Sequence, residues 1–135
     1  MAELNGMWVY QSFRPDMGPP SPLVPWAPPS KLSVTTDATG KVDGILRIPL
    51  PPGAPVPELV LTISGSITPA VAGELPEGIE LTGKGGRESV NAIRGFFIAG
   101  SAGPLVVGTV TAIKNDPGGK PDGTSGPFVL FPAAG

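Results

Sequence analysis

Four side chains that could contact a ligand recur at every second position near the start of the chain. Trp8, Tyr10, Ser12 and Arg14 alternate with Val9, Gln11 and Phe13. Successive side chains of a β-strand point to opposite faces, so these four side chains share one face. A phenol, a hydroxyl and a guanidinium on that face can orient a small carboxylate or amide. The spacing predicts a cavity lined by Tyr10 and Ser12, with Arg14 at its mouth.

A purely structural interpretation of these residues stays open. Trp8 would then belong to the core, Tyr10 would find a backbone partner, and Arg14 would be a solvated loop residue.

Two loop residues complete the set of candidates. Trp26 lies in a segment with seven prolines, residues 15–30, and is predicted to be an apolar lid or part of a subunit contact. Asn115 begins a long polar loop at the predicted mouth.

The residue types exclude most reaction chemistry. The chain has no cysteine and no histidine, so thiolate metal sites and Ser-His-Asp or Cys-His arrangements are impossible. Glu80 is the one acid well inside a predicted strand, and glycosidase chemistry needs two. Acidic residues near Asn115 resemble a calcium loop, but Pro117 and Pro121 interrupt it and no closing Glu follows. We therefore expect no metal, no cofactor and no catalytic residue.

Composition and charge narrow the classes of partner. The 135 residues predict one domain spanning 1–135, and the formal net charge of -2 with nine scattered Lys and Arg argues against nucleic acid. No signal peptide is visible at the start, and no apolar run approaches the ~20 residues that span a bilayer. We expect a soluble cytoplasmic protein without membrane contact.

The chain has 20 Gly and 19 Pro residues. They cluster between short alternating apolar runs and so separate predicted strands. No window carries a helical stripe, although residues 71–75 could form a single turn. Without helical crossovers the strands must run antiparallel. Eight such strands close into an up-and-down barrel, the predicted fold class, and a two-sheet sandwich is the alternative. The predicted strands are 6–13, 31–36, 42–49, 58–66, 78–82, 89–99, 104–114 and 126–132.

The order of a meander predicts where a ligand would enter. Alternate loops meet at one end of a barrel, which groups residues 14–30, 50–57, 83–88 and 115–125 on one rim. Two of the three opposite loops are tight turns, at Asp37–Lys41 and Gly100–Gly103. The longer loops indicate the mouth.

The opening strand resembles that of a known family. Leu4-Asn5-Gly6-Met7-Trp8-Val9-Tyr10 is similar to the Gly-x-Trp strand of the calycin barrels, avidins and lipocalins, and residues 31–48 look more like an avidin. The resemblance implies an eight-stranded, often oligomeric barrel with Trp8 plugging one end. Avidins place an Asn two residues after this Trp to bind biotin, where this chain has Tyr10. The biotin-binding pattern therefore does not carry over.

These patterns leave three hypotheses for function. The leading one is a non-enzymatic barrel that binds a small, moderately apolar molecule and forms a homo-dimer or tetramer. The second is an isomerase or cyclase that shapes its substrate. The third is an interaction protein that docks through its Pro-rich loops. Arg94 shares a strand face with Phe96 and Ile98, and that face either lines the cavity or is covered by another subunit.

Overall fold

The protein is a closed, all-β, antiparallel barrel. This computed structural model describes residues 4–15, 23–86, 88–98, 104–115 and 122–133. The described residues contain nine strands and no helix, and none of them forms a helix that could cross a membrane. The strands are β1 (Gly6–Pro15), β2 (Leu23–Pro25), β3 (Ser30–Thr36), β4 (Lys41–Pro49), β5 (Glu58–Thr68), β6 (Gly78–Gly85), β7 (Ser89–Phe97), β8 (Val106–Lys114) and β9 (Ser125–Pro132).

Eight of these strands form the barrel wall, and β2 is an addition to it. Strands β1 and β3 to β9 each pair with the next strand in antiparallel order. Pairing of β9 with β1, from Trp8 opposite Pro132 to Ser12 opposite Phe128, closes the circle. An antiparallel circle needs an even number of strands, which eight supplies. The predicted barrel is confirmed, and the two-sheet sandwich is excluded because one continuous sheet closes on itself.

One strand was not predicted. The short strand β2 pairs with the end of β1 through Phe13 to Pro15. Residues 71–75 form a single closed turn, in which the Val71 carbonyl accepts from the N–H groups of Glu74 and Leu75, both at 2.9 Å. The Val71 N–H donates back to Leu75 O at 2.8 Å, which makes these two residues an isolated antiparallel bridge. The predicted turn at Gly100–Gly103 lies outside the described residues.

The core fills the lower half of the barrel, the end where β3 turns into β4. Inward side chains alternate along every strand, as β3 illustrates with Ser30, Leu32 and Val34 buried between exposed neighbours. Leu4 closes this end, and its backbone N–H donates to the Thr36 hydroxyl oxygen at 2.9 Å. Among the described residues the lower half is therefore packed with branched apolar side chains, and the cavity inside the barrel lies in the upper half.

The β3–β4 turn is held by one carboxylate. Asp37 Oδ1 accepts hydrogen bonds from the Thr39 hydroxyl at 2.6 Å, the Thr39 N–H at 2.8 Å and the Lys41 N–H at 3.0 Å. Gly40 follows with a positive φ of 88°, the conformation that a short hairpin loop requires. The predicted hairpin turn is thus confirmed, and its Asp side chain replaces backbone partners.

We expect Asp37→Ala to lower the melting temperature at neutral pH and to have less effect in acid. The Thr39 hydroxyl, followed by the backbone N–H groups of Lys41 and Thr39, lowers the pKa of Asp37. A carboxyl with a lowered folded pKa stabilises the protein above its unfolded pKa, and that contribution is lost as pH falls through the folded pKa. Melting curves of both proteins between neutral and strongly acidic pH test this. A difference that stays constant with pH would contradict it.

Candidate functional site

A cavity opens at the upper end of the barrel, where β4 runs towards Pro49 and β1 towards Pro15. Its inner chamber has a volume of about 70 Å³ and its outer cleft about 270 Å³. The two adjoin, since Trp26, Ala27, Ile48, Leu61 and Asn91 line both. The described residues of the loops that the sequence grouped on one rim lie at this end, so the space lies where the meander order predicts a mouth.

Strand β1 places two polar side chains in the inner chamber. Trp8, Tyr10 and Ser12 are all buried and face inward, as their two-residue spacing predicts. Tyr10 and Ser12 line the chamber, and Trp8 lies deeper, in the apolar core. The first strand therefore runs from packed core to open cavity within five residues.

Tyr10 presents a neutral phenol to the cavity. Its ring stacks on Phe128 with the centroids 5.6 Å apart and the planes inclined by 30°. Burial raises the pKa of Tyr10 well above its usual value, and a smaller opposing effect comes from its hydrogen bond with the Ser12 side chain. The phenol consequently stays protonated at neutral pH and can donate or accept a hydrogen bond.

Trp26 covers the cavity from the segment that follows β2. Its backbone N–H donates to Ser12 O at 2.9 Å, and its side chain packs against the core. Gln11 Nε2 donates to the Ala27 carbonyl at 2.8 Å. These bonds fasten residues 26 and 27 to β1, which makes the segment part of the barrel's upper wall. The Pro-x-x-Pro spacings of the docking hypothesis lie largely in residues 16–22, outside the described chain.

Asn91 is a cavity residue that the sequence reasoning missed. It lines both the chamber and the cleft, beside the register shift between Val90 and Asn91 in the β7–β8 pairing. Its side chain has no hydrogen-bond partner within the described part of the chain. The signal was available, because Asn91 lies two residues before the buried Ile93 and on the opposite face from Arg94.

The remaining candidates take different positions. Asn115 lines the outer cleft, and its backbone N–H donates to Asp122 Oδ1 at 2.8 Å. Arg14 is partly buried, and its backbone lies opposite Val24 in the β1–β2 pairing. Its side chain lines neither the chamber nor the cleft. Trp8 also lies outside both. Its indole Nε1 is buried without a hydrogen-bond partner among the described residues.

The cavity wall is electrically neutral. None of the described residues that line the chamber or the cleft is charged. Its hydrogen-bonding groups are the side chains of Tyr10, Ser12, Ser89, Asn91 and Asn115, together with the Trp26 indole. Across the described ranges, no cluster of three Asp, Glu, His or Cys side chains could hold a metal ion. The arrangement can bind a neutral apolar molecule and orient one polar group on it.

A second depression lies on the outside of the barrel wall, near its lower end. It has a volume of about 310 Å³ and is lined by Leu75, Arg94 and Phe96, among others. Arg94 Nη1 donates to Leu81 O at 2.7 Å and to Ile93 O at 3.0 Å. Arg94 therefore faces outward with Phe96, and the alternative that it lines the barrel cavity is wrong.

Comparison of the chain with family models, with curated proteins and with solved structures finds no match.

Proposed function

We propose that this protein is a non-enzymatic binding barrel for a small, neutral, moderately apolar molecule. The observation that carries the proposal is the neutral wall of the upper cavity, which combines aliphatic side chains with a few hydrogen-bonding groups. A charged ligand group at this depth would lose its hydration without gaining an opposite charge. A neutral carbonyl or amide would lose much less hydration free energy. The side chains of Tyr10, Ser12 and Asn91 can form hydrogen bonds that replace those it made to water.

The two parts of the cavity would contact different parts of the ligand. The inner chamber is small enough to admit only the end of a ligand, beside Tyr10 and Ser12. The outer cleft holds the larger apolar part between Leu59, Leu61 and Trp26. The ligand would therefore enter with its polar group first, and Trp26 would cover its apolar body.

The barrel's wider relationship is part of the same proposal. The closed eight-strand meander is consistent with a calycin-like fold, and the Gly6-x-Trp8 opening supports placing the chain with the avidin-like barrels. Tyr10 stands where the biotin-binding Asn of avidins would be, so we expect no biotin binding. Binding of free biotin in calorimetry would contradict this part of the proposal.

A pair of dyes provides the direct test. N-phenyl-1-naphthylamine is neutral, and 8-anilinonaphthalene-1-sulfonate has the same rings with an added sulfonate. We expect fluorescence titrations to show saturable binding of the neutral dye and at least ~10-fold weaker binding of the sulfonate, a difference of about 1.4 kcal/mol. Equal or stronger binding of the sulfonate would contradict a neutral site.

Two variants of strand β4 locate the dye. Ile48 faces inward and lines both parts of the cavity, whereas Ile45 faces outward. We expect Ile48→Trp to fill the space and weaken binding of the neutral dye by at least ~10-fold. Ile45→Trp adds the same side chain outside and should change the affinity less than twofold. Similar effects of the two variants would place the dye elsewhere.

Native mass spectrometry of protein purified from its host then identifies the natural ligand. A discrete extra mass that stays chemically unchanged during incubation supports binding. Conversion of the recovered molecule into an isomer or cyclised product would instead favour the enzymatic alternative, in which the neutral Tyr10 phenol polarises a carbonyl.

A further inference from the structure

A row of three polar side chains crosses the outside of strands β6, β7 and β8. Glu80 lies opposite Arg94 in the β6–β7 pairing, and Arg94 lies opposite Thr109 in the β7–β8 pairing. All three residues are exposed, and all three line the second depression, the one on the outside of the wall. A carboxylate, a guanidinium and a hydroxyl therefore stand side by side in one small depression.

The barrel wall holds the Arg94 guanidinium in a fixed orientation. Its Nη1 donates to Leu81 O at 2.7 Å and to Ile93 O at 3.0 Å, and these two bonds use the hydrogens of that nitrogen. Within the described part of the chain, Nε and Nη2 of Arg94 make no hydrogen bond. These two nitrogens form one edge of the guanidinium, and their parallel N–H groups match the two oxygens of a carboxylate. Arg94 thus has an oriented and unused edge for a carboxylate.

Glu80 does not occupy this edge of Arg94. Among the described residues neither Glu80 nor Arg94 takes part in an ion pair, although the two are direct neighbours across β6 and β7. A ligand with only a negative charge would bind Arg94 but would be repelled by the nearby Glu80 carboxylate. A ligand with only a positive charge would meet the reverse arrangement. A molecule that carries both charges is attracted by both residues.

The rest of the depression is apolar and is fixed by hydrogen bonds. Leu75 and Phe96 line it together with two prolines, and they are 51 % and 40 % exposed. The bridge between Val71 and Leu75 closes the segment that carries Leu75, and Glu77 O accepts from the Phe97 N–H at 2.9 Å. An apolar group can therefore cover Leu75 and Phe96 without paying for the ordering of a loop.

We propose that this depression binds a free amino acid with an apolar side chain, in its zwitterionic form. The carboxylate binds the Nε–Nη2 edge of Arg94 and can accept a further hydrogen bond from the Thr109 hydroxyl. The ammonium group binds the Glu80 carboxylate, and the apolar side chain covers Leu75 and Phe96. A residue within a peptide lacks one or both of these charges, which favours the free amino acid.

The size and the place of the depression agree with this ligand. Its volume of about 310 Å³ lies at the lower end of the ~300–1,000 Å³ range of small-molecule pockets, as a ligand of amino-acid size requires. The depression lies outside the barrel wall, whereas the chamber and the cleft lie at the upper end of its interior. The proposal is therefore independent of what the upper cavity binds.

Three ligands of similar shape test the proposal in NMR titrations of the full chain. L-leucine carries both charges, 4-methylpentanoate lacks the ammonium group, and L-leucinamide lacks the carboxylate. We expect saturable binding of L-leucine and at least ~10-fold weaker binding of the other two, because each lacks one hydrogen-bonded charge. An absence of L-leucine binding at millimolar concentration, or equal binding of all three ligands, would overturn the proposal.

Three charge variants locate the ligand. Arg94→Gln should weaken L-leucine binding by at least ~10-fold, and Arg47→Gln, which removes the same charge from β4, should leave it unchanged. Glu80→Gln should also weaken L-leucine binding but should strengthen binding of 4-methylpentanoate, because the carboxylate that repels it is gone. Equal effects of Arg94→Gln and Arg47→Gln would overturn the proposal, as would a Glu80→Gln variant that binds both ligands more weakly.

Discussion

Replacing Phe128 with alanine is expected to lower the free energy of unfolding by about 3–5 kcal/mol. Phe128 is 1 % exposed and is among the largest fully buried side chains of the barrel. Its ring stacks on Tyr10, and its tip lies against Gly95, which is two strands away in the same wall. Alanine would leave a void between β1, β7 and β9, and the closed wall prevents these strands from collapsing into it.

Urea unfolding followed by far-UV circular dichroism measures this loss. The control is Ile45→Ala, whose side chain points outward from β4 and is 41 % exposed. It should change stability by no more than about 0.5 kcal/mol. If both variants lost the same small amount, Phe128 would not be the centre of the core.

The second large effect is expected from Gly108→Ala, which should cost at least ~4 kcal/mol or prevent folding. Gly108 lies opposite Gly95 where β7 and β8 approach closely. A Cβ at residue 108 would overlap the Arg94 carbonyl oxygen and the Gly95 Cα, both backbone atoms. Backbone in the middle of a closed sheet cannot move aside without breaking its hydrogen bonds. The steric overlap therefore cannot be relaxed at low energetic cost.

Gly83→Ala is the matched control for this glycine. A Cβ at residue 83 would meet only side-chain ends, with Ile63 Cδ1 nearest at 3.0 Å. These methyl groups can rotate away, and alanine restricts the unfolded chain more than glycine does. We expect Gly83→Ala to stay within about 1 kcal/mol of the wild type. Thermal melting of both variants distinguishes the large loss of stability expected at residue 108 from the small change expected at residue 83. A stable Gly108→Ala variant would show that β7 and β8 lie farther apart.

Local pattern was sufficient for most of the barrel. The predicted strands 42–49 and 126–132 differ from β4 and β9 by one residue at their starts, because alternation and flanking turn residues are properties of neighbouring positions. The same alternation placed Tyr10 and Ser12 inside. Strand β2 was missed because three residues ending in Pro25 carry no period, and the pairing depends on the distant end of β1.

The candidate site was less accessible to sequence reasoning. Arg14 continues the inward spacing of β1, yet it lies beyond the chamber because the wall ends at the rim. Asn91 comes from β7, 81 residues from Tyr10 in the chain, and the two line one chamber only because the sheet curves and closes into a barrel. Alternation tells which face a residue occupies but not which residues stand opposite it across a cavity.

Residue types and local spacing were enough for the fold class, the inward side chains of β1, the hairpin turn at Asp37 and the absence of histidine and cysteine chemistry. Each of these depends on residue type or on spacing within a few positions. The packing of the lower half of the barrel and the opening of its upper half became visible only in three dimensions. The same holds for the chamber that Tyr10 and Asn91 line together. Both features arise from closure, because the β9–β1 pairing brings the two ends of the sheet together.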